Sequence, residues 1–219
     1  MQQILKGLPR KSFDRLVAKH QADKHSKGFG CWDQLVAMIY GHLSGAGSLR
    51  QLEAGFNSQS SHHDNLGTGP VRRSTLAEAN SRRSAVVFEQ AAHLLMGLAC
   101  RQLRQEGQAL LYLLDSTSIT LKGRGFDTWT RDNRTRNTQG IKLHLLYAAH
   151  QHIPLLHSFT AANVNDIQEG VKLPIEQNAT YVFDKGYCDY NWWADIDAQQ
   201  ARFVTRFKYN AAVQLETSR

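Results

Sequence analysis

Cysteine is scarce in this sequence. The 219 residues contain three, Cys31, Cys100 and Cys188, widely separated and without a CxxC pair. That spacing argues against a disulfide framework or a zinc ribbon and suits a reducing cytoplasm. Long apolar runs are missing as well. No stretch approaches the roughly 18 apolar residues of a membrane span, and the opening MQQILKGLPRKSFDRL lacks the apolar core of a secretory signal. There is no GxxxxGK(S/T), so NTP use is not indicated, and neither GxSxG nor HExxH occurs. Ten histidines are present, but His62–His63 and His150-x-His152 lack the downstream partners of a zinc site. No internal repeat or low-complexity tract is visible.

What remains is a foldable chain with an uneven charge. Apolar residues make up 42% of it, enough for a packed core, and the length suits one large domain or two small ones. The formal charge is +7, carried mostly by the first half. Residues 1–109 hold 14 Lys and Arg against 8 Asp and Glu, whereas residues 110–219 hold 12 against 11. The first half is therefore the better candidate for meeting a polyanion.

The two halves also differ in hydrophobic period. In WDQLVAMIYGHL, Leu35, Met38, Ile39 and Leu43 recur at helical spacing. Ser48 is placed to cap a helix that puts Leu49, Leu52 and Phe56 on one side. Thr75 and Glu78 fit a capping box. A long helix follows, with Phe88, Ala92, Leu95 and Ala99 on one face and Gly107 at its end. Beyond it, ALLYLLDSTSITL, GIKLHLLYAAH, IPLLHSFTAAN, ATYVFDKGY and RFVTRFK read as strands, with short helices at DIQEGVKL and YNWWADIDAQQA. The expected organisation is a helical domain over 1–107 and a mixed α+β domain over 108–219, in the order β-β-β-α-β-α-β. The first three strands can form an antiparallel meander, and the fourth can lie parallel to the first.

Two of these strands deliver a carboxylate, Asp115 after LLYLL and Asp184 after TYVF. In parallel neighbours they would share the carboxyl end of the sheet, where ligands of open α/β sheets gather. Adjacent carboxylates repel unless a cation or proton lies between them. Oxygen ligands without Cys or clustered His favour Mg²⁺ or Mn²⁺. Such ions, paired roughly 3.5–4 Å apart, serve phosphoryl transfer. The competing reading is that each Asp merely caps or bonds a loop.

The segments YLLDSTSITL, GIKLHLLY, ATYVFDKGYCDY and FVTRFKYNA resemble the DDE transposases of bacterial insertion sequences, in the group named after insertion sequence four. The helical half, FGCWDQLVAMIYGHLSGAGSLRQLEAGF and PVRRSTLAEANSRRSAVVFEQAA, is similar to that group's DNA-binding region. The resemblance implies a ribonuclease-H-like core, two Mg²⁺ (or Mn²⁺) ions held by three carboxylates, and cut-and-paste transposition of double-stranded DNA at terminal repeats. It also implies a cytoplasmic, nucleoid-associated protein without a membrane partner, acting as a homo-oligomer or paired with a full-length copy. Asp115 corresponds to the first carboxylate and Asp184 to the second. The third, a Glu within a Tyr, Arg, Glu and Lys pattern, has no counterpart before Arg219, because Glu216 follows strand five too closely and lacks that pattern. The expectation is an incomplete core that binds metal weakly and exposes apolar sheet surface. The alternatives are a DNA-binding remnant or inhibitor of the full-length enzyme, and a Mg²⁺-dependent phosphatase or nuclease using two Asp.

Basic residues complete the expectation. Arg72, Arg73, Arg82 and Arg83 flank a helix that suits a helix-turn-helix-like reader, with Asn80 placed to reach base edges. Lys122, Arg124, Arg131, Arg134 and Arg136, with Trp129 among them, form a loop able to grip DNA near the cleaved phosphate. Lys185 would offset phosphate charge and Tyr187 would pack beneath the site. Arg206 and Lys208 would alternate along strand five toward the DNA. Solvated helix and hairpin surfaces are the competing reading for all of these.

Overall fold

Helices occupy the first half of the chain and a sheet the second, as the two hydrophobic periods require. The computed structural model describes residues 2–105, 110–121 and 139–211. The chain divides into two compact units, Met1–Leu95 and Met96–Arg219.

The first unit holds α1 (Gln2–Lys6), α2 (Arg10–Lys19), α3 (Cys31–Leu43), α4 (Leu49–Asn57), α5 (His63–Leu66), α6 (Arg73–Arg82) and the beginning of α7 (Val86–Gln105). Its core is built on the fully buried Phe13, Val36, Phe56, Val71, Leu76 and Val87, each stabilising the fold by about 1.5–3 kcal/mol through removal from water. Phe13 meets Trp32 edge-on at 5.6 Å. Ser48 caps α4 as expected, its Oγ accepting from the Gln51 N–H at 3.2 Å.

Three local expectations need correction. The helix after Pro70 starts at Arg73, so Thr75 lies inside its first turn and no capping box forms. Glu78 instead pairs with Arg82 at 2.8 Å. On α3 the buried arc runs through Trp32, Val36 and Ala37, while Leu35, Met38 and Ile39 pack at the core's edge and Leu43 stays 57% exposed. Among the described side chains of α7 the buried ones are Val87 and Ala91, one position before Phe88 and Ala92. Both shifts have one cause: in a helix packed by several neighbours, tertiary contacts choose the buried arc. Gly107 lies outside the described residues.

The second unit carries β1 (Leu111–Thr120), β2 (Gly140–Ala148), β3 (Ile153–Ala161), α8 (Asp166–Gly170), β4 (Thr180–Phe183), α9 (Tyr190–Ala198) and β5 (Arg202–Val204). The strands form one sheet in the order β3-β2-β1-β4-β5. The meander β1–β2–β3 is antiparallel, and β1, β4 and β5 run parallel. Alternation divides the sheet into two faces. Tyr112, Leu114, Leu146, Tyr181 and Phe183 point into a core closed by Tyr187, Trp192, Trp193 and Ile196. The opposite face carries Leu113, Ile119, Phe159 and Val204, which are 38–57% exposed. The short β5 ends at Val204, so Arg206 and Lys208 lie beyond the strand and do not alternate on it, although both are exposed.

Candidate active site at the ends of the parallel strands

Register decides whether the two aspartates meet. In the parallel pair, Leu113 lies beside Val182 and Leu114 beside Phe183. Asp115, within β1, and Asp184, just past the end of β4, are the next residues along, so they emerge as neighbours. On the other side of β4, Val182 lies beside Val204. Two residues past the row Leu113–Val182–Val204 come Asp115, Asp184 and Arg206. All six line one shallow depression of about 420 Å³. Its floor is apolar, and its rim holds two carboxylates and a guanidinium. Both aspartates are exposed.

Each carboxylate is held differently. Asp184 leaves β4 in extended backbone, and its Oδ1 accepts the Gly186 N–H at 2.7 Å, capping the 3₁₀ turn Lys185–Tyr187. The bond orients the carboxylate and leaves Oδ2 free of that cap. So the capping reading of Asp184 describes part of the geometry, and it is compatible with a second role. Asp115 continues β1 opposite Leu145. Its chain neighbour Ser116 turns to the other face and donates to Asp166 Oδ1 at 2.7 Å. Lys142 donates to the same oxygen at 3.0 Å and to the Val164 carbonyl at 2.8 Å. His144, buried, bonds Thr160 through Nε2 at 2.8 Å and sets Nδ1 3.9 Å from Asp166. Burial lowers its pKa, outweighing the nearby Asp166 and Glu169 charges that would raise it.

Asp166 approaches Asp184 from behind. A methyl group placed on Gly186 would lie 2.8 Å from Asp184 Oδ1 and 2.9 Å from Asp166 Oδ2. The bare glycine is what gives the two carboxylates room. Below them, the buried Tyr187 hydroxyl has no partner in ordinary hydrogen-bond geometry among the described residues. Burial pushes its pKa up, and the charges of Asp166, Asp115 and Asp184 push the same way, with Ser116 nearby acting in the other direction. Its ring packs against Phe183 and Trp192, the packing place anticipated for it. Lys185 is exposed beside Asp184.

Asp166, Ser116, Lys142 and His144 did not stand out in the sequence. One signal was available: Lys142 and His144 are two apart on a strand that is otherwise apolar, which puts both on one face, facing a polar partner. Among the described residues no group of three His, Cys, Asp or Glu is arranged to hold a metal ion. Two adjacent oxygen donors nevertheless suit a hard cation as part of its ligand set.

The expected DNA-contacting residues separate into groups. Arg72 and Arg73 are exposed at the start of α6. Arg82 is exposed and paired with Glu78. Asn80 accepts from Gln34 Nε2 at 2.7 Å. Arg83 is turned inward, bonding Gln34 Oε1 at 3.0 Å, Ser26 Oγ at 2.9 Å and the Phe29 carbonyl, with Asp23 at 3.4 Å. Lys122, Arg124, Trp129, Arg131, Arg134 and Arg136 fall outside the described residues.

The family model of the transposase DDE domain matches residues 106–217, and a domain of unknown function (DUF4372) matches residues 1–68. The chain is 44% identical over 144 residues to a Sinorhizobium fredii (strain NBRC 101917 / NGR234) protein named "Putative transposase y4zB", covering 66% of this chain and 39% of that protein. The chain thus spans about two-fifths of that relative's length. Among solved structures, a cryo-EM piggyBac transposase synaptic complex with hairpin DNA aligns with 96% of this chain and 49% of its own, at 12% identity and a TM-score of 0.48. The Mos1 transposase paired-end complex with left transposon end aligns with 85% and 62%, at 9% identity and a TM-score of 0.29. With the transposase model matched over half its length, this chain belongs to the DDE transposases of insertion sequences.

Proposed function

We propose that this chain contributes the DNA-binding region, residues 1–107, and the two-aspartate part of a ribonuclease-H-like transposase core, residues 108–219. One observation carries the reading: β1 and β4 pair in the register that delivers Asp115 and Asp184 side by side beyond Leu114 and Phe183. Asp115 and Asp184 would hold Mg²⁺ or Mn²⁺. When bound at such a carboxylate pair, the ions activate a water nucleophile and stabilise the leaving oxygen of a phosphodiester. The protein's own groups do the positioning. The Gly186 N–H fixes the Asp184 carboxylate. Arg206 on the rim and the exposed Lys185 on the turn would offset the charge of DNA phosphate. The substrate is double-stranded DNA at an element's terminal repeats, and binding falls with salt because phosphate contacts release counterions.

The test separates binding from chemistry. In a Mn²⁺ titration the 219-residue chain binds weakly, and Asp115→Asn or Asp184→Asn abolishes the binding while a terminal-repeat duplex is still retained. Incubated with that duplex and Mg²⁺, the chain alone neither nicks nor joins it, because no third carboxylate completes the pair among the described residues. Unchanged Mn²⁺ binding in both aspartate variants would remove the metal assignment. Asp184-dependent cleavage by this chain would show that two carboxylates suffice.

A further inference from the structure

The helical unit contains a groove of about 690 Å³ between the loop at residues 20–28 and helix α6. One wall carries His20, Lys24, His25 and Lys27, and the other carries Thr75 and Arg82. The loop is a chain of tight turns, with Gln21, His25 and Gly28 at φ of 49°, 71° and 86°. Such left-handed positions reverse the backbone repeatedly and bring closely spaced side chains onto one side.

Charge in this groove is unbalanced by construction. The loop has one acid, Asp23, and it is consumed internally. Its Oδ1 accepts the Cys31 N–H at 2.8 Å and lies 3.4 Å from the Arg83 guanidinium. Glu78 is paired with Arg82 across one helical turn. Lys24 and Lys27 are exposed and have no ion-pair partner among the described residues. Arg83, which also lines the groove, reaches from the end of α6 to Ser26 and Phe29 and braces the loop against the helix.

We propose that this groove receives a phosphodiester backbone of double-stranded DNA, with Lys24 and Lys27 on one wall and Arg82 and the Thr75 hydroxyl on the other. Lys, Arg and Thr are the side chains that contact phosphate oxygens, and such contacts set register without reading sequence. The inference rests on the transposase reading and locates its DNA contact. It transfers the DNA-facing role from Arg83, which is structural, to two lysines in a loop preceding α3.

The test uses the full 219-residue chain and a fluorescein-labelled duplex of arbitrary sequence, read by anisotropy across a salt series. For Lys24→Gln/Lys27→Gln, the slope of log K against log salt falls by about 2, close to one per lost phosphate contact. A second double variant, Lys6→Gln/Lys11→Gln, removes equal charge away from the groove and retains the wild-type slope. Equal slopes in the two variants would overturn the groove while leaving DNA binding intact. Failure of the wild-type chain to bind duplex would overturn the DNA reading itself and the groove with it. Competition by poly-glutamate as effective as that by unlabelled duplex would assign the groove to an acidic protein partner and refute the DNA proposal.

Discussion

Gly186→Ala is the smallest change that tests the carboxylate site. The added methyl would sit 2.8 Å from Asp184 Oδ1 and 2.9 Å from Asp166 Oδ2, whereas carbon and oxygen approach comfortably at roughly 3.3–3.6 Å. About half an ångström must be found on each side. Asp166 cannot yield cheaply, because its Oδ1 is held by Ser116 at 2.7 Å and Lys142 at 3.0 Å. Asp184 is exposed and tied through Oδ1 to the Gly186 N–H, so it moves first and loosens its cap. Overpacking of this kind costs about 1–3 kcal/mol. Displacing a ligand by about half an ångström exceeds what a preorganised site tolerates. The expected outcome is modest destabilisation with a disproportionate loss of cation affinity, at least about tenfold, which corresponds to roughly 1.4 kcal/mol. Urea unfolding followed by tryptophan fluorescence reports the first quantity, since Trp192 and Trp193 are buried in this unit's core, and Mn²⁺ titration reports the second. Gly97→Ala is the control: a methyl there meets nothing within 4 Å. If Gly186→Ala matches wild type in both the urea midpoint and Mn²⁺ affinity, the crowding argument is wrong and Asp184 is not held where its function would require.

Other expectations follow from the same polar cluster and from the helical unit. Lys142→Met leaves the partly exposed Asp166 carboxylate without its cation and the Val164 carbonyl without its donor; the expected loss is about 1–3 kcal/mol, the cost of leaving a hydrogen-bonded polar group unsatisfied, read from urea midpoints. Burial holds the folded-state pKa of His144 below its ordinary 6.5, so acid favours the unfolded chain. Stability from this residue is complete above about pH 6.5 and declines as pH falls below it toward the folded value, and His144→Gln flattens that part of the stability–pH curve. Burial, reinforced by Asp23, pushes the Cys31 thiol up to about 12; mass spectrometry after iodoacetamide at pH 8 should find Cys31 unmodified and the half-buried Cys188 labelled.

Much of the architecture was legible because periodicity is a local property. Strand and helix segments in the second half appear near where alternation and helical spacing placed them, apart from the early end of β5 at Val204, and β4 lies parallel to β1 as the crossover topology suggested, which brings Asp115 and Asp184 together just past the paired residues. Errors clustered where neighbours outvote local preference. Thr75 and Glu78 match a capping box, yet α6 begins earlier and Glu78 turns to Arg82. Arg83 reads as a DNA contact because basic residues near a helix end usually face solvent, yet its fork-shaped guanidinium satisfies four acceptors inside the unit. Asp166 carries no signal in the sequence, because one acidic residue opening a short helix is ordinary. Its importance appears only when β1, β2 and the Lys185–Tyr187 turn gather around it.

The sequence by itself determined the division into a helical half and a sheet half, the basic excess of the first, and the two apolar runs that each lead into an aspartate. These depend on spacing along the chain, which needs no knowledge of what packs where. The tertiary structure alone decided that Leu113, Val182 and Val204 align into one row with Asp115, Asp184 and Arg206 beyond it, that glycine separates Asp184 from Asp166, and that Arg83 faces inward. Those outcomes depend on contacts between residues far apart in sequence and, for the aspartate row, on register, where shifting a strand by one position would send its side chains to the other face.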